Sequence, residues 1–384
     1  MNLTPKRNKI FFIFEKNIAM KLKRPTLLID KEKCLQNIHK MKEKAERQGV
    51  KFRPHFKTHQ SAEVGEWFRN AGVEAITVSS VTMARYFANH GWKDITIAFP
   101  VNFAEADEIN ILAKTIRLNL LIESMEAFVF VEDNIKSKTG IFIKIDAGYH
   151  RTGIPVDDHE NILILILEIL HAHHHEFEGF ILHNGNTYHA GNADEIQRIH
   201  HESIGKVNSL KAFLDLHDIH PKISVGDTPS MSIISDFLGI DEIRPGNFVF
   251  YDVMLQNLGS CGFADIAVVL ACPVVAKNTD RNELVIYGGA IHLSKDFITD
   301  GEGNQIYGRV VFFDKTGWQE PLENTFVKSL SQEHGIIKTT PEQVKNIKIG
   351  SFIGILPVHS CLTVHQMREF SNLKGERITT YLSC

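Results

Sequence analysis

Short runs rich in β-branched and aromatic residues recur along the first two thirds of the chain, separated by helix-like stretches. After an initial "TLLID" at 26–30, there are eight such runs: "VKFRPHF" at 50–56, "AITVSS" at 75–80, "ITIAFP" at 95–100, "RLNLLIES" at 117–124, "IFIKIDAG" at 141–148, "FEGFILHNG" at 177–185, "KISVGD" at 222–227 and "IRPGNFVFYD" at 243–252. Eight β/α units within roughly 200–250 residues predict a parallel (β/α)8 barrel with its helices outside. A doubly wound sheet is the alternative, but no GxGxxG fingerprint follows a strand.

The pattern changes after about residue 265, where short strand-like runs follow one another without helical stretches between them. These runs are "DIAVVLACPVVAK", "NELVIYGGAIHL", "GRVVFFD", "TFVKSLSQEHG" and "SFIGILP". They predict a second, smaller antiparallel β domain. We therefore expect the barrel to occupy residues 20–265 and the β domain to occupy residues 266–384.

The first nineteen residues contain a basic stretch and then an apolar run, "KRNKIFFIF", which begins like a signal peptide. The apolar run ends after five residues at Glu15, whereas a secretory core needs roughly 7–15 apolar residues. We interpret residues 1–19 as a disordered extension. Translation could start at Met1 or at Met20, which lies just before the first structured segment.

Composition narrows the class of protein. The chain has 384 residues, of which 43% are hydrophobic and 23% are charged, as in ordinary soluble globular proteins. Its net charge of −4 argues against a nucleic acid or an anionic membrane as partner, and the chain lacks the roughly 20 consecutive apolar residues that span a bilayer. The five cysteines form neither a CxxC pair nor a disulfide framework, which favours a cytoplasmic location.

Polar residues gather at the carboxyl ends of the predicted barrel strands, where barrel enzymes carry their chemistry. Lys57 follows the first of the eight strands, and Arg151 follows the fifth. Two glycine-containing turns, "GDTPS" at 226–230 and "RPGN" at 244–247, coincide with the seventh and eighth strands, where loop amides often bind phosphate. A phosphate site and a lysine on one rim suggest pyridoxal phosphate carried by Lys57.

A lysine nucleophile must spend time as the neutral amine, so it needs desolvation or nearby positive charges. His55 and His59 flank Lys57 in "RPHFKTHQ", and Arg151 is predicted at the same rim. We expect these three residues to supply the positive charge.

Seven stretches between residues 53 and 364 resemble the D-serine dehydratase and D-threonine aldolase family, which shares its barrel with alanine racemase. They are "RPHFKTHQ", "KIDAGYHRTGI", "HNGNTY", "SVGDTPS", "RPGNFVFYD", "SLSQEHG" and "PVHSCLTV", in the order of the family. The resemblance implies that Lys57 carries pyridoxal phosphate and that Arg151 lies near the phenolic oxygen of the cofactor. It implies further cofactor contacts and a metal pair at these positions: Tyr188, Thr228, Gly246 and Asn247 for the cofactor, and His359 and Cys361 for the metal.

The metal pair favours a lyase over a racemase, because racemisation needs only bases on both faces of the substrate. If His359 and Cys361 lie on one strand, as we expect, their side chains share a face. A thiolate with an imidazole favours zinc. In the family, the dehydratase branch carries cysteine at this second position and the aldolase branch carries aspartate. Cys361 therefore favours a D-serine dehydratase that forms pyruvate and ammonia.

Several alternatives remain open at this point. D-threonine aldolase-type cleavage to glycine and an aldehyde is the main one, and a racemase or a non-catalytic pyridoxal phosphate-binding protein is less favoured. D-serine, D-threonine and β-hydroxyaspartate all remain candidate substrates, and the group that faces the pyridine nitrogen is not identified. Val358 replaces an expected asparagine, and "GNTY" lacks a histidine that family members often have after the glycine.

Two further expectations concern assembly and an unusual histidine cluster. The resemblance implies a homodimer in which the β domain of one chain approaches the barrel mouth of the other.

The cluster "HAHHHE", with His171, His173, His174 and His175, follows a predicted helix. We interpret it as a solvated helix end rather than as a metal site.

Overall fold

The computed structural model describes residues 22–383, which form two compact units. The β unit consists of the described residues up to Asn37, of Val249–Asn257 and of the described residues from Cys261 onwards, and the barrel unit consists of Ile38–Phe248 and Leu258–Ser260. The predicted extension at 1–19 and the alternative start at Met20 lie outside the described residues.

Strands and helices alternate through the barrel unit, whereas the β unit consists mainly of strands. The strands are β1 (Thr26–Ile29), β2 (Lys51–Phe52), β3 (Ala75–Val78), β4 (Asp94–Pro100), β5 (Arg117–Ile122), β6 (Thr139–Asp146), β7 (Ile154–Pro155), β8 (His175–Leu182), β9 (Lys222–Val225), β10 (Glu242–Ile243), β11 (Val268–Asn278), β12 (Glu283–Tyr287), β13 (Ile298–Thr299), β14 (Gln305–Ile306), β15 (Gly308–Val311), β16 (Phe313–Asp314), β17 (Gly317–Trp318), β18 (Phe326–Leu330), β19 (His334–Lys338), β20 (Phe352–Pro357), β21 (Glu369–Asn372) and β22 (Arg377–Thr379). The α-helices are α1 (Lys31–Arg47), α2 (Ala62–Asn70), α3 (Val81–Asn89), α4 (Ala106–Ala113), α5 (Met125–Asn134), α6 (His159–Leu170), α7 (Ala193–Asp215), α8 (Thr228–Ile233), α9 (Val253–Asn257), α10 (Ala290–Leu293), α11 (Pro341–Asn346) and α12 (Ser360–Met367).

Eight parallel strands of the barrel unit are hydrogen-bonded in the order β2-β10-β9-β8-β6-β5-β4-β3. A parallel bridge between His55 and Thr77 joins the segment after β2 to β3, so the sheet closes on itself. The short strand β7 pairs with β6 outside this circle. The predicted (β/α)8 barrel is therefore confirmed.

Several of the outer helices begin at a side chain that caps them. The hydroxyl of Ser61 accepts from the N–H of Val64 in α2, and Ser80 and Ser124 cap α3 and α5 in the same way. Several barrel strands are buried on both faces, as in β3, where all four residues are buried, whereas the two residues of β2 are exposed or half-buried. Capped helices and doubly buried strands together fix the alternation that the sequence predicts.

The β unit contains a sheet of nine strands in the order β12-β19-β18-β15-β20-β11-β1-β21-β22. Its pairs are antiparallel, except that β1 and β21 are parallel. The predicted antiparallel β domain is confirmed. Its contents differ from the predicted range 266–384, because β1 pairs with β11 and β21 and therefore lies in this unit together with Val249–Asn257.

The histidine cluster is divided by the end of α6. His171 caps this helix, and His171, His173 and His174 are exposed, as expected of a solvated end. His175 instead begins β8 and is buried, with its Nδ1 2.7 Å from Thr139 Oγ1. The solvated interpretation is therefore wrong for His175, whose ring is part of the barrel. Within residues 22–383, no helix is long and apolar enough to cross a membrane.

Candidate active site

Lys57 lies in a turn that follows β2 at the carboxyl end of the barrel. Its side chain is exposed, and its backbone N–H donates to Nδ1 of His55 at 3.3 Å. The preceding residue, Phe56, is fully buried, and its ring lies 4.9 Å from that of Phe87 and 5.1 Å from that of Trp92. The aromatic cluster thus anchors the backbone of the turn while the lysine amine remains accessible.

The two histidines beside Lys57 are not the positive charges that we expected. Burial lowers the pKa of His59 to about 3, and burial together with the charges of Lys57 and Arg244 lowers the pKa of His55 well below its usual value. His59 stacks on Phe68, and its Nδ1 accepts from the N–H of Ser61 at 3.2 Å. Both rings are neutral near pH 7, so they shape the turn rather than charge it.

Other basic groups lie near the rim, and of these the sequence predicted only Arg151. Lys144 on β6 is buried, and burial with the charges of Arg244 and Arg151 lowers its pKa to about 7. Arg244 is also buried and donates to Ser224 Oγ at 2.7 Å and to the carbonyl of Leu182 at 2.7 Å. A charged residue within the apolar run "IFIKIDAG" was the signal that could have identified Lys144.

The turns predicted to bind phosphate lie together in the barrel unit. The N–H of Thr228 donates to Tyr188 Oη at 3.2 Å, and the N–H of Asn247 donates to Thr228 Oγ1 at 3.0 Å. A Cβ at Gly246 would lie 2.8 Å from the carbonyl oxygen of His55, so only glycine fits there. Small turns with hydroxyl and backbone donors, close to the segment that carries Lys57, fit a phosphorylated aldehyde cofactor.

The loop between β6 and Arg151 is organised by Asp146. Its Oδ1 accepts from the N–H groups of Gly148 at 2.9 Å, of Tyr149 at 2.9 Å and of His150 at 3.1 Å. Burial opposes ionisation of this carboxyl, but the N–H donors outweigh burial and lower its pKa. Asp146 therefore has a structural role at the end of β6.

Tyr149 in this loop packs against Gly185 and lies under Arg151. The Arg151 guanidinium carbon is 5.1 Å from the centroid of the Tyr149 ring, which suits a cation–π contact. The ring of His183 meets the Tyr149 ring edge-on at 5.8 Å. A Cβ at Gly185 would overlap the tyrosine ring, so this glycine makes room for it.

The β unit holds the predicted metal pair, but not on a strand. β20 ends at Pro357, and His359 caps α12, which contains Cys361 in its first turn. Asp252 accounts for a helix at this position, because its Oδ2 accepts from the N–H of Ser360 at 3.0 Å and stabilises the start of the helix. The expectation of a shared strand is therefore wrong.

The imidazole of His359 and the thiol of Cys361 are nevertheless hydrogen-bonded to each other. Nδ1 of His359 lies 2.7 Å from Oδ2 of Asp296. Burial alone would lower the pKa of His359, but Asp296 and Cys361 outweigh it and raise the pKa to about 10. An imidazole with one nitrogen engaged and a thiol as neighbour is a donor set that suits zinc.

His359 and Cys361 would supply two protein donors to a metal. Among the described residues, no group of three or more histidine, cysteine, aspartate and glutamate side chains is arranged to hold a metal. A closed structural zinc site needs four protein ligands, whereas catalytic zinc keeps a position for water or substrate. The donor set thus fits an open site better than a closed one.

Comparisons with known proteins match both the barrel and the β domain of the chain. The family model "Alanine racemase, N-terminal domain" matches residues 29–253, and "Putative serine dehydratase domain" matches residues 267–372. The chain is 29% identical to D-serine dehydratase of Dictyostelium discoideum and 28% identical to D-threo-3-hydroxyaspartate dehydratase of Delftia sp.; each alignment covers 92% of this chain and 94% of the relative.

The solved structure of the Delftia enzyme superposes with a TM-score of 0.85 at 25% identity, over 95% of this chain and 99% of that one. Two further similar solved structures are of a D-threo-3-hydroxyaspartate dehydratase in which a histidine or a cysteine is replaced by alanine, and the cysteine variant is in the metal-free form. The predicted family and the predicted enzyme class, a pyridoxal phosphate-dependent lyase, are confirmed. The chain therefore belongs to the alanine racemase-like family of pyridoxal phosphate enzymes, and to those members that join this barrel to a serine dehydratase domain.

Proposed function

We propose that the chain is a pyridoxal phosphate- and zinc-dependent lyase that dehydrates a D-β-hydroxy amino acid, with D-serine as the favoured substrate and pyruvate and ammonia as products. The adjacent imidazole and thiol of His359 and Cys361, with Nδ1 of His359 engaged by Asp296, carry this proposal. Dehydration expels hydroxide, a poor leaving group that benefits from a Lewis acid. A racemase has no use for such a pair.

Lys57 would hold pyridoxal phosphate, and Tyr188, Thr228, Gly246 and Asn247 would hold its phosphate end. The bound cofactor supplies an electron sink that makes a bond at the substrate Cα breakable. The exposed amine of Lys57, once the substrate amino group has released it from the cofactor, would accept the Cα proton. The neutral rings of His55 and His59 keep the turn fixed without placing further positive charge beside that amine.

Arg151 and Arg244 supply positive charge for an anionic ligand, and Lys144, whose pKa is about 7, adds part of a charge near neutral pH. Arg244 is held by neutral groups, the hydroxyl of Ser224 and the carbonyl of Leu182, so a carboxylate does not neutralise it directly. An anionic phosphate or phenolate fits such a surrounding. Zinc, held by His359 and Cys361, would supply the Lewis acid for the β-oxygen of the substrate.

The products decide between dehydration and aldol cleavage. Purified protein loaded with pyridoxal phosphate and zinc is given D-serine, D-threonine and D-threo-3-hydroxyaspartate in separate reactions. We expect a 2-oxo acid and ammonia, measured by a coupled reductase assay and by mass spectrometry. Glycine with an aldehyde, and no 2-oxo acid from any of the three, would assign the chain to the aldolase branch.

We also propose that the active form is a homodimer, as the resemblance implies. Light scattering coupled to size-exclusion chromatography measures the mass of the active species directly. A fully active species with the mass of one chain, about 43.5 kDa, would contradict this proposal.

A further inference from the structure

Asp296 is an acidic residue that contacts the metal pair, and no motif in the sequence identifies it. Its Oδ2 lies 2.7 Å from Nδ1 of His359, and both side chains are about one-third exposed (37% and 30%). A carboxylate at this distance accepts the N–H of the imidazole. The other ring nitrogen, Nε2, is then the one that can bind a metal in place of a proton.

We propose that Asp296 is a positioning residue for the metal: it fixes the tautomer and the ring orientation of His359, so that Nε2 is presented as a ligand beside the thiol of Cys361. This inference rests on the proposed function, because it assumes that the pair binds zinc. Histidine ligands commonly donate their second ring N–H to a carboxylate, which fixes the ring and makes the ligand more basic.

The loop that carries Asp296 is built to hold the carboxylate in place. Ser294 adopts a left-handed backbone, with φ of 69°, although it is not glycine. Its N–H donates to Gln366 Oε1 at 2.9 Å, and its hydroxyl accepts from the N–H of Asp296 at 3.2 Å. A non-glycine residue at positive φ persists only where its surroundings enforce it.

The same loop is tied to both ends of one helix. Gln366 lies near the end of α12, and His359 caps its start. A further contact, from Thr363 Oγ1 to the carbonyl of Leu293 at 3.4 Å, joins the middle of the helix to the end of α10. The Asp296 carboxylate and the two metal-binding side chains therefore belong to one hydrogen-bonded assembly within the β unit.

The test is the zinc affinity of the full-length, cofactor-loaded protein, measured by competition with a chelator of known affinity. Asp296→Ala removes both the acceptor and the charge, and we expect it to raise the Kd for zinc by about 10- to 100-fold. Asp296→Asn keeps an acceptor oxygen, so it should recover part of the affinity. Glu302→Ala removes an exposed carboxylate from a nearby loop and serves as the matched control, with an unchanged Kd.

Cobalt substitution gives a readout that a general loss of stability would not produce. The visible spectrum of bound Co²⁺ reports on its ligands, so Asp296→Ala should alter that spectrum while the absorption of the cofactor at Lys57 stays the same. An unchanged Kd and an unchanged cobalt spectrum in Asp296→Ala would overturn the inference and leave the proposed function intact. A wild-type protein that binds no zinc would instead refute the metal part of the proposed function.

Discussion

Replacing Gly185 with alanine should destabilise the barrel unit, because the added methyl group has no room. The three atoms nearest to a Cβ at this position are Cζ, Cε1 and Cε2 of Tyr149, all closer than real side chains approach one another. The tyrosine cannot simply move away, since its backbone N–H is bound to Asp146 at 2.9 Å and its ring contacts Arg151 and His183. Overpacking of this kind costs about 1–3 kcal/mol.

Urea denaturation followed by circular dichroism measures this cost, and Gly205→Ala is the matched control. Gly205 lies inside α7, and no atom lies within 4 Å of a Cβ placed there. Alanine is favoured over glycine in a helix interior by about 1 kcal/mol, so this variant should be more stable than the wild type. The two glycine substitutions should therefore change stability in opposite directions.

A double-mutant cycle separates the steric explanation from other causes. In a Tyr149→Ala background the ring is gone, so Gly185→Ala should then cost much less than it does in the wild type. If Gly185→Ala costs the same with and without the tyrosine ring, the overlap with Tyr149 is not the cause and the reasoning is refuted. A stable Gly185→Ala variant in the wild-type background would refute it as well.

Three further predictions concern the site. Borohydride reduction and peptide mapping should place the cofactor on Lys57, and an adduct on a different lysine would refute its assignment. Cys361→Ala, like chelation, should abolish zinc binding and turnover but not cofactor absorption; D-serine turnover that survives both treatments would remove zinc from the mechanism. Between pH 6.5 and 5, His59 takes up a proton in the unfolded chain but not in the folded chain, where its pKa is about 3. This difference should lower the free energy of unfolding of the wild type by about 2 kcal/mol between these pH values. Urea titrations should show a smaller decrease for His59→Leu. Equal decreases in the two proteins would contradict a neutral, buried ring.

The alternation of strands and helices is a local property, and it predicted the barrel correctly. Pairing between distant strands is not local: β1 joins β11, more than two hundred residues later, and β21 beyond that. The apolar run "TLLID" does not indicate its partner, so the predicted boundary at residue 20 placed this strand with the barrel. The helix that begins after His359 escaped prediction for the same reason, because its first N–H is accepted by Asp252, more than a hundred residues away.

The charge distribution of the site follows from burial, which residue type alone does not reveal. Histidines beside a lysine suggested positive charge, but Phe56 and Phe68 enclose His59 and keep it neutral. Lysine and arginine tolerate partial burial with less loss of charge, because their ordinary pKa values start several units above neutrality. A barrel that must hold an anion at a dry rim therefore needs residues such as Arg244, whose pKa of about 10 keeps it charged even in full burial. In such a rim, histidine is suited to shape the backbone, and guanidinium is suited to carry the charge.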